Sequence, residues 1–441
     1  DVIDGGAGID TLTVDNTDSG ALTAIPAKAQ ISNVETLRLE ATDDSGADAF
    51  TVDASIVKFT NFEIDASDEA DTYTFTKVTD ETFSLIESAN NAIDLIDVSF
   101  ADATGTSDSL TLKVTNNDTS TAFTVDDINS TGGGIETLTL NLVQGADIAS
   151  ASDILVDDIS STHTTLNIQG DADATLGGGT AISTKTIDAS TSTGDLTIEL
   201  AAAKHTVTTG SGDDNVDFNA TLGATDTYDG GAGTDTLTAA PAAGTHTPTV
   251  KNVEKLKLEF STASSYNASK TTGATELYIT AASNEDLTVT QIPASVATTY
   301  ISGTSMASGD TVALTYVTGA DAAHTVRFGD TADAADIDTG DVTIKGNKGA
   351  LTLISDGAAG NEADDLHANT ATGLTIKTEK ALELEAAEAG GDGNLNATAA
   401  TSFTATTAGG ALLVDGAIDV SKATVLDFDA TDGNMTFTGA F

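Results

Sequence analysis

The sequence predicts an all-β protein, a stacked β-solenoid or parallel β-roll, and three observations carry that prediction. Apolar residues arrive in short alternating runs rich in β-branched side chains, the period-2 pattern of half-buried strands. Clusters of Gly, Asp, Asn and Ser separate these runs, and 41 glycines against 4 prolines favour repeated tight turns. Glycine-aspartate segments also recur at a nine-residue period, the length of one half-coil in a stacked array. A coil this small cannot bury its own face and needs neighbours on both sides.

The chain opens with Asp1–Thr13, in which Asp1 and Asp10 lie nine residues apart, as do Ile3 and Leu12, with Gly5, Gly6 and Gly8 between them. The central stretch Gly210–Thr238 repeats the pattern with Asp226 and Asp235, Tyr228 and Leu237, and Gly230, Gly231 and Gly233. Glycine takes positive φ without the penalty a Cβ imposes, so such turns aim carbonyl oxygens and an Asp carboxylate at one point. A hard, oxygen-seeking ion fits there, and Ca²⁺ suits the flexible geometry. The expected ligands are Asp10 and Asp235, then Asp1, Asp214 and Asp226, with Gly6, Gly8, Gly212, Gly231 and Gly233 supplying carbonyl oxygens. The central array has three extra residues between Asp214 and Asp226, so its middle turn, near Gly223, departs from the pattern. The competing reading is a polar β-turn that binds nothing.

After each array comes a variable loop and then one strand, Asn33–Glu40 in the first copy and Asn252–Glu259 in the second. Strand candidates fill the space between, among them Phe50–Val57, Thr72–Val78, Ser109–Thr115, Ile135–Val143 and Asp195–Leu200. Only Asp80–Ile96 reads as helical, with Phe83, Ile86 and Ile93 near helical spacing. The second half repeats the theme in runs such as His324–Asp330, Ala350–Ser355 and Gly373–Thr378. Thr186–Ala202 aligns without a gap on Val425–Phe441, pairing Gly194 with Gly433 and Ile198 with Phe437. The chain therefore divides into two diverged β-rich units, 1–209 and 210–441, each opening with an array. In the first half this strand pair leads directly into the central array, so the natural polypeptide is expected to continue past Phe441 into another.

Composition excludes several function classes. With 17 Lys plus Arg against 68 Asp plus Glu, the formal charge is −51, which is unsuited to nucleic acid and self-repelling unless counter-ions neutralise it. Bound divalent cations and a solvated acidic surface both answer to that charge. There is no cysteine, so disulfides and Cys-ligated metal centres are impossible. No apolar run is long enough for a transmembrane helix, and no signal peptide is visible. The acidic run Asp330, Asp333, Asp336, Asp338 and Asp341, and the pairs Asp126/Asp127, Asp157/Asp158 and Asp364/Asp365, read first as solvated faces, then as calcium ligands, and last as acid-base pairs. Gly303–Ala307 matches the serine motif of subtilisin-like proteases at Ser305, but no histidine stands in that family's His motif, and a serine without a base is not activated. Neither a zinc-protease His-Glu motif nor a lipase serine motif is present. The chain is expected not to be an enzyme.

The two Gly-Gly-Ala-Gly-x-Asp-Thr-Leu motifs at Gly5–Leu12 and Gly230–Leu237, the Asn-Val-Glu strands after them, and the Ile-Asp-Ala-Ser segments at Ile64 and Ile187 resemble RTX-type surface-layer proteins of Gram-negative bacteria. The motifs cover about a fifth of the chain. The resemblance implies type I secretion, folding outside the cell as calcium binds, and self-assembly into a two-dimensional lattice on the cell surface. It also implies attachment to a cell-surface glycan or lipopolysaccharide, through a region not evident in this sequence. An RTX adhesin or extracellular filament protein would be built from the same parts.

Overall fold

The computed structural model describes residues 2–16, 22–23, 30–41, 49–56, 58–66, 71–87, 92–102, 104–105, 107–117, 122–130, 135–145, 153–160, 162–219, 222–260, 264–281, 286–302, 311–329, 337–357, 360–385 and 392–441. Among them there is no α-helix, and a 3-10 turn occupies Ala268–Lys270. The registered strand pairs among these residues are parallel, from Val2 beside Gln30 at the first coil through the long ladders that follow. The chain is a parallel β-solenoid, which agrees with the fold class expected from sequence. Its contacts gather into two compact units, Asp1–Asp217 with Gly230–Gly233, and Phe218–Asp229 with Thr234–Phe441.

In the first unit each coil contributes strands to two ladders. One runs through Thr36–Ala41, Asn61–Ala66, Thr82–Glu87, Ser109–Asn116, Thr137–Gln144, Thr165–Gly170, Thr186–Ser192 and Thr206–Thr208. The other includes Ala49–Asp53, Asp71–Val78, Ile93–Phe100, Phe123–Asn129 and Ile154–Ile159. Alternation explains the core. In Thr36–Ala41, Leu37 and Leu39 are buried while Arg38 and Glu40 face outward, and the register places Leu37 on Phe62 and Leu39 on Ile64. The next step places Phe62 on Phe83 and Ile64 on Leu85. Like thus stacks on like, with Phe62 and Phe83 rings 5.3 Å apart and Phe50 and Tyr73 rings 5.0 Å apart. Each such buried side chain contributes roughly 1.5–3 kcal/mol.

Among the described residues of Asp80–Ile96, where a helix was expected, none forms. Thr82–Glu87 and Ile93–Phe100 are strands. Phe83 and Leu85 face inward at period 2 and lie beside Phe62 and Ile64, so neighbouring coils override a weak helical spacing.

The second unit begins on the same plan. Thr236–Ala239, Lys255–Phe260, Glu276–Ala281, Thr298–Ser302 and His324–Phe328 form one ladder, which continues through Ala350–Ser355, Gly373–Thr378 and Ser402–Thr407 to Val425–Ala430. A second ladder of 8 strands runs from Gly244–His246 to Ile418–Asp419. A third, of 5 strands, starts at Asp338–Thr339 and passes through Asn361–Ala363, Leu382–Leu384 and Leu412–Val414 to Met435–Phe437. The later coils therefore carry three strands each.

Candidate metal centre

The N-terminal array is a turn between the strands Val2–Asp4 and Thr11–Asn16. Gly6 and Gly8 take φ of 92° and 141°, left-handed values that favour glycine. The turn is fastened to the next coil by the Asn-Val-Glu motif. Asn33, itself at φ 52°, donates its side-chain amide to Asp4 Oδ1 at 2.8 Å, and Val34 is buried. Glu35 accepts the Asp10 backbone N–H at 2.9 Å, while the Asp10 carbonyl accepts the Glu35 and Thr36 N–H groups. Asp10 Oδ2 is buried without a hydrogen-bond donor.

The central array repeats this clasp. Asn252, at φ 49°, donates to Asp229 Oδ1 at 2.8 Å, Val253 is buried, and Glu254 accepts the Asp235 N–H at 2.8 Å. The Asp235 carbonyl again accepts two N–H groups, from Glu254 and Lys255. Asp235 is fully buried. A third copy stands where the sequence shows no glycine-aspartate array. Asp108 donates its N–H to Glu136 at 2.9 Å, and its carbonyl accepts the Glu136 and Thr137 N–H groups. Asp108 Oδ2 is also buried without a donor. Sequence reasoning singled out the aspartates and missed Glu35, Glu136 and Glu254. The signal was an acidic residue one position before each Thr/Lys-Leu-x-Leu strand, legible only once the coils are stacked.

The remaining expected ligands are held differently. Asp214 is buried, and its Oδ1 accepts the Leu196 N–H at 2.8 Å. Burial pushes its carboxyl up to about 6, against the downward pull of that bond and of donors from Thr209 and Gly210. Asp226 closes its own turn, Oδ2 accepting the Gly223 N–H at 2.6 Å, so the irregular middle turn is self-satisfied. The glycines are required by packing. A Cβ on Gly212 would lie 2.3 Å from the Gly194 carbonyl oxygen, one on Gly231 2.2 Å from that of Gly210, and one on Gly233 2.1 Å from that of Gly212. Gly231 and Gly233 also have φ of 84° and 129°. Asp1 lies outside the described residues, as do Ser305, Asp330, Asp333 and Asp336.

Two acidic groups gather elsewhere. Parallel register sets Asp127 beside Asp158, and burial together with Asp94, Asp157 and Asp158 raises the Asp126 carboxyl. Asp341, Asp365 and His367 bring ligand atoms within 4.8 Å of one another, the only such trio of acidic or His side chains among the described residues. Burial and Asp365 raise the Asp341 carboxyl, and His367 lowers it. An imidazole with two carboxylates suits a transition metal better than calcium.

For Ca²⁺ the donor chemistry of the arrays fits. The turns offer carboxylates and backbone carbonyls as oxygen donors, and Asp10 carries a buried oxygen that no protein donor meets. Three carboxylates do not converge at either array among the described residues, so an ion there would draw on glycine carbonyls as well. No protein-family model matches the chain, and no curated protein or solved structure matches it either.

Proposed function

We propose that the protein is a non-enzymatic structural component of a bacterial surface layer, secreted and folded outside the cell, that self-assembles into a calcium-dependent two-dimensional lattice. One observation carries this reading: the same Asn-Val-Glu clasp fixes a glycine-aspartate turn in both arrays, on a chain of charge −51. Asp10 and Asp235 would hold the ion, with Asp214, Asp226 and the carbonyls of Gly6, Gly8, Gly212, Gly231 and Gly233 as further oxygen donors. Bound Ca²⁺ would neutralise carboxylates that otherwise repel one another across stacked coils. Extracellular calcium modules bind at about 10⁻⁴ to 10⁻³ M, so folding would couple to calcium by mass action. Attachment would run through a cell-surface glycan or lipopolysaccharide.

The test is thermal unfolding and assembly with millimolar Ca²⁺ and with excess chelator. Chelation should lower the melting temperature and disperse sheets seen by electron microscopy. Identical melting curves and intact sheets in chelator would sink the proposal. Sparse fibres on whole cells, in place of a continuous periodic coat, would point to an adhesin or filament protein.

A further inference from the structure

The stacking of coils, and not nearness in sequence, draws Asp341 to Asp365 and His367. Asp341 stands in the bend between Asp338–Thr339, the first strand of the third ladder, and Val342–Asn347. One coil later Asp365 holds the same place, between Asn361–Ala363 and Leu366–His367. The register sets Val342 beside Leu366, so the two carboxylates belong to adjacent coils whose backbones run about 4.8 Å apart. Leu366 is buried, and the period of two turns Asp365 and His367 to the same outer side.

The ligand atoms of the three lie within 4.8 Å of one another, and neither carboxylate forms an ion pair with Lys or Arg among the described residues. His367 Nε2 is 4.0 Å from Asp365 Oδ2. That is too long for a hydrogen bond, yet close to the spacing of about 3.4 Å between two ligands on one tetrahedral ion with bonds of about 2.0–2.1 Å. Each of these two side chains is also fixed from outside the trio. The Asn394 N–H donates to Asp365 Oδ1 at 2.6 Å, which leaves Oδ2 for another partner. The Asn396 carboxamide stands 3.1 Å from His367 Nδ1. With its oxygen on that side it accepts the Nδ1 proton and leaves the Nε2 lone pair facing the carboxylates. A partner of this kind behind the ring orients metal-ligating histidines in general. The geometry points to a Zn²⁺ site made by His367 Nε2 and one carboxylate oxygen each of Asp341 and Asp365, with the fourth position open to water. The ion staples two consecutive coils at the bend where the third ladder begins, in a chain with no cysteine to cross-link them. Its imidazole sets it apart from the oxygen-only arrays, so it does not depend on the calcium reading.

The test is calorimetric titration of Zn²⁺ into the 441-residue chain in millimolar Ca²⁺, which competes for oxygen-only sites. The parent should bind one Zn²⁺ per chain, and His367→Gln and Asp341→Asn should each weaken that binding about tenfold or more. His246→Gln, a histidine outside the trio, should leave it unchanged. Both trio positions are half-buried, and circular dichroism checks that each variant keeps its strands. Zn²⁺ should raise the melting temperature of the parent and of His246→Gln, but not of the other two. Co²⁺ in the parent should show the visible absorption of a four-coordinate site, a reading that needs no variant. Absence of a one-ion binding event, an affinity unmoved by both trio substitutions, or a Co²⁺ spectrum like that of the free aqua ion would each overturn the proposal. A chain indifferent to Ca²⁺ that still binds Zn²⁺ in this way would sink the calcium reading alone.

Discussion

Gly233 and Gly6 share a left-handed backbone but not surroundings. At Gly233 a Cβ would strike the Gly212 carbonyl at 2.1 Å, whereas at Gly6 it would meet open space. Alanine at Gly6 should cost only the conformational penalty, about 1–2 kcal/mol. Alanine at Gly233 adds a backbone collision and should cost roughly 3 kcal/mol or more. Urea unfolding of the two variants measures the difference, and equal losses would show that φ alone selects glycine here. His324 offers a second residue-scale test. Its ring is buried against Tyr316, with Nδ1 within 2.8 Å of the Val296 carbonyl and Nε2 buried without a hydrogen-bond partner. A carbonyl only accepts, so Nδ1 carries the proton. Burial holds the imidazole below its ordinary value, against the pull of that bond. The native state then binds fewer protons than the unfolded chain, so stability is complete above about pH 6.5 and falls as pH drops below it. His324→Leu should lower stability at pH 7.5 by about 1 kcal/mol for the lost bond. It should also flatten the slope between about pH 6.5 and 5 in chemical denaturation, and an unchanged slope would refute the assignment.

Among the elements, the Asp–Glu clasp joins consecutive coils by a hydrogen bond to an ionised acceptor, worth about 1.5–3 kcal/mol. Glu136→Ala and Glu254→Ala should therefore each lose stability on that scale in chelator. Only Glu254→Ala, beside a glycine-aspartate array, should also weaken the calcium-induced rise in melting temperature. Equal calcium responses in the two variants would separate the clasp from any metal role. The strands were legible in sequence because alternation such as Leu37/Leu39 or Leu112/Val114 survives any stacking order. The false helix arose where Ile86 added an apolar residue off the period-2 face of Phe83 and Leu85, and only Phe62 and Ile64 in the adjacent strand decide between the two periods. The glutamate clasps were hidden because Glu35 and Asp10 are 25 positions apart. The third ladder was legible only in part: Leu382–Leu384 lies in an alternating apolar run, whereas Asn361–Ala363 is three residues long and shows no alternation.

For the whole molecule, charge of −51 on stacked coils is the dominant unfavourable field. Parallel register multiplies it by setting Asp127 beside Asp158. Raising NaCl from about 10 to about 150 mM shortens the screening length from about 30 to about 8 Å. The calcium-free protein should therefore melt several degrees higher in the saltier buffer, as followed by circular dichroism. A melting temperature unmoved by salt would mean that the carboxylates are already neutralised by protein partners.

The register has a further consequence for how such a chain can change over time. Thr36 to Asn61 spans 25 residues, Asn61 to Thr82 spans 21, and Ser109 to Thr137 spans 28, yet the paired positions stay aligned. Differences in coil length fall between the paired strands, while Leu37, Phe62, Phe83 and Leu138 keep their place inside. Insertions there then leave the interior unaltered. Such a lineage can remodel its outward loops, and with them whatever the surface meets, while its interior grammar stays constant.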